Sequence, residues 1–177
     1  VQYDPALGAP GLTLAQQFLG VALRPYIDME VFFGITGGPV TVVIAALNGQ
    51  TDGNAGAYHY GCDFTSGGTL YLDATFSNPT VDPLDMLVAL FVAELSECCM
   101  GAQNAGWGCG YSNGEGLSRF LAEEETPWGT LAAFQTADAW VSAGYPDWVS
   151  QTELTDRNAV STGCAILSPG GRRTMWW

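Results

Sequence analysis

The chain has 177 residues, 47% of them hydrophobic, and 18 acidic side chains against 5 basic ones give a formal charge of −13. That length suits one well-packed domain over residues 1–177 rather than two. The charge excludes nucleic acid and anionic membranes as partners, because phosphate binding needs clustered cations and Arg172-Arg173 is the one basic pair.

The longest apolar run, "MLVALFVA" (Met86 to Ala93), has the length of a buried helix segment, so no membrane insertion is expected. A first residue of Val1, with no leader before it, is expected of a chain whose targeting segment has been removed. That points to a secreted or cell-surface protein. Five cysteines without a CxxC pair argue against a zinc knuckle and for at least one disulfide in such a setting. Cys98 or Cys99 with Cys109 is the nearest pairing. Being adjacent, Cys98 and Cys99 point about 100° apart on a helix and should have different partners.

In chain order, "LTLAQQFLGVALR" has helical apolar spacing and predicts a first helix over about Thr13 to Arg24. "VTVVIAAL" (Val40 to Leu47) is β-branched and apolar throughout, which predicts a strand buried on both faces at the sheet's centre. Asn48 to Gly56 is a turn-rich connection; its Asn48, Asp52 and Asn54 offer the one candidate turn for Ca²⁺, though without the acidic density of a dedicated site. Strands are predicted over Ala57 to Phe64 and Thr69 to Phe76, joined by "TSGG". A long helix follows from Pro83 to Met100, capped by Asp82 and stopped by Gly101. "GAQNAGWGCGYSNG" reads as a Gly-rich loop and "EGLSRFLAEEE" as a second strong helix. Residues from about 125 to 167 carry short helical patterns, and the tail 168–177 ends in Met175, Trp176 and Trp177, aromatic enough for contact with a second copy in an oligomer or filament.

The order helix, strand, paired strands, long helix, Gly-rich loop, second helix over about residues 13–124 resembles the zincin metallopeptidases, and gluzincins among them. In that family an HExxH motif on the long helix grips zinc with two imidazoles and uses the intervening Glu as general base, while a Glu in an NExxSD-like motif on the next helix supplies a third ligand. The matching stretch here is Ala93-Glu94-Leu95-Ser96-Glu97, and Asn113-Gly114-Glu115-Gly116-Leu117-Ser118-Arg119 is similar to the second motif. The resemblance implies an α+β, zincin-like fold with a small, mostly antiparallel sheet, a first helix, a long central helix and further C-terminal helices. It implies the general-base position at Glu94 and the third-ligand position at Glu115, while Ala93 and Glu97 replace both imidazoles. Glu97 with Glu115 is an all-oxygen pair, suited to Ca²⁺, Mg²⁺ or Mn²⁺ over Zn²⁺, so the sequence calls for no zinc and no other cofactor, with Ca²⁺ the ion it would admit.

Glu94, Glu97 and Glu115 are therefore the candidate catalytic residues, since carboxylates sharing a cleft drive their pKa values apart and make an acid and base pair. Trp107 and Tyr111 are candidate stacking residues for a glycan or peptide, and Arg119, one turn beyond Glu115, is a candidate partner for the carboxylates. His59, the one histidine, sits in "YHYGC" on a predicted strand, where a hydrogen-bonded structural role competes with acid or base work. No GxSxG occurs, and Ser66 and Ser112 read as turn residues. Three readings follow: a peptidase-like protein without zinc that serves as a binding, structural or self-assembling module; a hydrolase using the carboxylate cluster, metal-free or with a hard divalent cation, on peptide or glycan; and an α+β domain whose acidic helix residues do no chemistry.

Overall fold

The computed structural model describes residues 1–47, 56–62, 65–76, 81–126, 137–148 and 158–163. The central element is α3 (Pro83–Gln103), whose start follows the sequence closely: the Asp82 carboxylate accepts from the Leu84 N–H at 2.8 Å and Pro83 occupies the first turn. Thirteen of its 21 residues are buried, among them Met86, Leu87, Leu90, Leu95 and Met100. An apolar helix without a wide polar face must be covered on several sides.

It is covered by strands and by helices. β1 (Gln2–Tyr3), β2 (Val40–Ala45), β3 (Ala57–His59) and β4 (Gly68–Asp73) form one sheet in the order β1-β2-β4-β3. β1 and β4 both run parallel to β2, and β3 alone is antiparallel, pairing Ala57 with Leu72 and His59 with Leu70. The fold is thus α+β with a small mixed sheet. The expected mostly antiparallel sheet is incorrect: β3 and β4 are antiparallel neighbours, but β4 inserts between β2 and β3 and meets β2 in parallel. Two apolar strands carry the same residue pattern whichever neighbour they take, so periodicity does not reveal that insertion. β1, too short for a periodic signal, is also absent from the sequence reading, and β3 stops at His59 instead of Phe64.

The first helix is two helices. α1 (Gly8–Val21) and α2 (Leu23–Phe33) meet at Ala22 with a 45° bend. The expected single helix over Thr13 to Arg24 is thus corrected at both ends. Pro25 falls in the first turn of α2, where its missing N–H costs no intrahelical bond. Phe18 of α1 packs edge-on against Phe91 of α3, with centroids 5.4 Å apart. Gln103 at the far end of α3 donates to the Phe33 carbonyl at 2.9 Å, tying α2 to it.

α3 also runs through Gly101 and ends at Asn104, which takes the left-handed conformation at φ 52°. Gly101 has another purpose: a Cβ there would lie 1.4 Å from the Cys62 carbonyl oxygen, so only glycine lets the chain after β3 cross α3. α4 (Ser112–Glu125) packs along α3 and buries Leu117 and Leu121, and α5 (Ala137–Ser142) lies in the expected helical C-terminal part. Among the described residues no single helix is long and apolar enough to cross a membrane. Asn48, Asp52, Asn54, Cys164 and the tail with Met175, Trp176 and Trp177 lie outside the described residues.

Candidate functional site

β3 is the edge strand beside α3, and alternation along it sets two environments. Tyr58 faces away from the core and stacks on Tyr71 of β4, with ring centroids 4.5 Å apart. Ala57 and His59 share the face of buried Leu70 and Leu72, toward α3. There the His59 Nδ1 meets the Glu94 Oε2 at 2.7 Å, and the Nε2 lies 3.5 Å from the Cys109 Sγ. The Nε2–H donates to sulfur, because a disulfide sulfur has no hydrogen to give.

That sulfur belongs to a Cys62–Cys109 disulfide, which ties the end of β3 to the Gly-rich loop between α3 and α4. The expected pairing of Cys98 or Cys99 with Cys109 is corrected. Both helix thiols are buried and free, so the expectation that each has its own disulfide partner is corrected as well. Nearness in sequence favoured Cys98 and Cys99, but both are buried on α3, and the Cys98 thiol reaches the Gly61 carbonyl instead of forming the bridge. Cys62 reaches Cys109 because Gly101 lets its segment cross α3.

One turn along from Glu94, Glu97 is buried and accepts from the Ser118 hydroxyl of α4 at 3.1 Å. Glu115, in the first turn of α4, contacts the Glu97 carboxyl and is held by Arg119 at 2.6 Å. Burial, then the charges of Glu115 and Glu94, push the Glu97 carboxyl well above the usual carboxylate range. Burial alone would lower the His59 imidazole; hydrogen bonds with Cys98 and Glu94 outweigh it and raise it to about 10. The cluster therefore sets an imidazole of raised basicity against Glu94, and Glu97 holds its proton more tightly than an ordinary carboxyl, beside Glu115.

The loop that closes the cluster is built by its small residues. Asn113 accepts from the Gly108 and Gly114 N–H groups, and a Cβ on Gly114 would lie 2.2 Å from the Gly108 carbonyl oxygen. The SNGEG stretch thus sets the packing of the loop on the start of α4. Buried Ser112 begins α4, and Ser66 lies in the turn before β4, away from any helix start. Trp107 and Tyr111 are exposed on the loop.

Of the sequence candidates, the structure joins Glu94, Glu97, Glu115, Arg119 and His59 in one cluster. The Glu115–Arg119 pair was legible from its four-residue spacing. Glu94 meets His59, 35 residues away in sequence, a partner that the spacing along α3 did not reveal. Ser118 and Cys109, which orient Glu97 and His59, were not singled out as site residues; Ser118 stands in the quoted NExxSD-like motif, and that was the available signal. Asp73 was also missed: buried, it accepts from the Leu47 and Thr75 N–H groups and the Thr75 hydroxyl, fixing the ends of β2 and β4.

No protein-family model matches the chain, and neither a curated protein nor a solved structure matches it.

Proposed function

We propose that the chain is a hydrolase on a zincin-like scaffold, acting on peptide or glycan bonds, with its acid and base groups supplied by His59, Glu94, Glu97 and Glu115. The observation that carries this reading is the 2.7 Å contact between His59 and Glu94, made beside Glu97, whose carboxyl is pushed by burial well above the usual range. Neighbouring carboxyls held in opposite protonation states supply a proton donor and a proton acceptor at the same pH. Glu94 is the base, oriented by the imidazole; Glu97, sharing its proton with Glu115, is the acid reservoir. Arg119 pairs with Glu115 at 2.6 Å and holds that carboxyl in place against Glu97. A disulfide beside the cluster supports action at the cell surface or outside the cell, where such bonds persist.

The experiment is a hydrolysis screen over mixed peptides and glycans with the wild-type chain and Glu94→Gln. Turnover by the wild type and a loss of at least 100-fold in the folded variant are expected. Equal rates for the two would overturn the reading.

A second reading, a binding or self-assembling module, is favoured by the outer face of α1 and α2. Leu19, Leu23, Val31 and Phe32 are all more than half exposed there, with Val31 at 75%. Sedimentation of the wild type against Val31→Glu tests it: the module reading expects association of the wild type and its loss in the variant.

A further inference from the structure

Resting on the reading of this cluster as the functional centre, we propose that His59, Glu94 and Glu97 bind one divalent transition cation of the Zn²⁺ or Mn²⁺ type, with the imidazole delivered by the edge strand. A ring nitrogen of His59 and one carboxylate oxygen each from Glu94 and Glu97 lie within 4.8 Å of one another, and the Nδ1 is the nitrogen that faces Glu94, at 2.7 Å. A four-coordinate cation with bonds of about 2.0–2.2 Å sets its ligand atoms about 3.3–3.6 Å apart, so a small rotation of the Glu side chains closes the set. Three protein ligands leave a coordination position for water or substrate.

Charge supports the assignment. A neutral imidazole and two carboxylates carry −2, which one divalent cation cancels, while Glu115 is already neutralised by Arg119. The cation then takes the place of the proton between His59 and Glu94. One nitrogen among oxygens shifts preference from Ca²⁺ and Mg²⁺ toward transition ions, unlike the all-oxygen pair of Glu97 with Glu115.

The surrounding hydrogen bonds are those a ligand set needs. The Nε2–H of His59 points at the Cys109 sulfur, which leaves the Nδ1 lone pair for the cation, and the Ser118 hydroxyl holds one oxygen of Glu97. Cys109 is thus a positioning residue: it fixes which imidazole nitrogen is bare.

The test uses the full chain, stripped with a chelator and titrated calorimetrically with Zn²⁺, Mn²⁺ and Ca²⁺. One equivalent of Zn²⁺ or Mn²⁺ is expected to bind, with affinity falling at least 100-fold in His59→Gln and in Glu97→Gln and unchanged in Glu124→Gln, which alters an exposed carboxylate on α4. Binding that survives both ligand substitutions, or binding of Ca²⁺ alone, overturns the proposal. Because His59→Gln is also able to loosen β3, Co²⁺ loaded into the wild type provides a second readout. Ligand-field absorption without a thiolate charge-transfer band is expected, and a thiolate band overturns the proposal in favour of Cys98. If the cation binds as described and no substrate is hydrolysed, the site stands and the hydrolase reading falls. If the stripped protein hydrolyses as fast as the loaded one, the hydrolase stands and the cation site falls.

Discussion

α2 and α3 are both apolar helices, yet they end in opposite environments. α3 buries residues around most of its circumference, against the sheet, α1, α2 and α4; α2 buries only Pro25, Met29 and Phe33 and turns Leu23, Ile27, Val31 and Phe32 outward. Hydrophobicity alone does not assign a helix to the centre of a fold. What distinguishes α3 is that polar residues within its covered length have partners on other packed elements: Glu94 on His59, Glu97 on Ser118, and Gln103 on the Phe33 carbonyl. A buried carboxyl without such partners costs several kcal/mol, so the sequence around them is tied to the elements that supply the bonds.

The strongest way to break this contrast is at the crossing of α3. Gly101→Val puts a side chain into the Cys62 backbone and should cost 3 kcal/mol or more, roughly, measured as loss of cooperative folding in urea. Removing the Cys62–Cys109 bond, which closes a separation of 47 residues, should cost about 3–4 kcal/mol, read from denaturant midpoints with and without reductant. Leu90→Ala, in the centre of α3, should cost about 2–5 kcal/mol.

A subtler expectation is the pH dependence of the chelated protein. His59 rises from 6.5 unfolded to about 10 folded, so its stabilisation is complete below pH 6.5 and is lost as pH rises toward 10. Glu97 is raised as well, so it too binds its proton more tightly when folded, and its contribution declines as pH rises above the ordinary carboxylate range. The two act in the same direction: melting temperature should fall from pH 6.5 to pH 10 as His59 loses its proton, and Glu97→Gln should flatten the fall that begins above the ordinary carboxylate range. A melting temperature that climbs over that interval would contradict the protonation states assigned to the cluster. The smallest effect belongs to α2, where Leu23→Ala should change stability by about 0.5 kcal/mol or less, because 67% of that side chain's residue surface is already in water. A loss comparable to Leu90→Ala would mean that the α2 face is covered in solution.

Local chemistry made several features legible. The start of α3 was readable because Asp82 and Pro83 satisfy the needs of a helix N-terminus within three residues, and the pairing of Glu115 with Arg119 because four residues make one turn. β2 as an interior strand was readable from its unbroken β-branched run. The first helix was misread as one element ending at Arg24, because apolar spacing continues across the bend at Ala22. Gly101 was misread because a close crossing by Cys62, like the insertion of β4 into the sheet, is invisible in local sequence.

What the amino-acid sequence determined by itself was the set of parts: an α+β chain, the long helix with its cap, and two glutamates one turn apart on it. Each depends on interactions within about one helical turn or along one strand. The tertiary structure decided the rest, placing the single histidine on the edge strand against Glu94, pairing Cys62 with Cys109, and directing the apolar surplus of α2 outward. Those outcomes depend on which surfaces meet across 35 or more residues, and one-dimensional spacing carries no record of that.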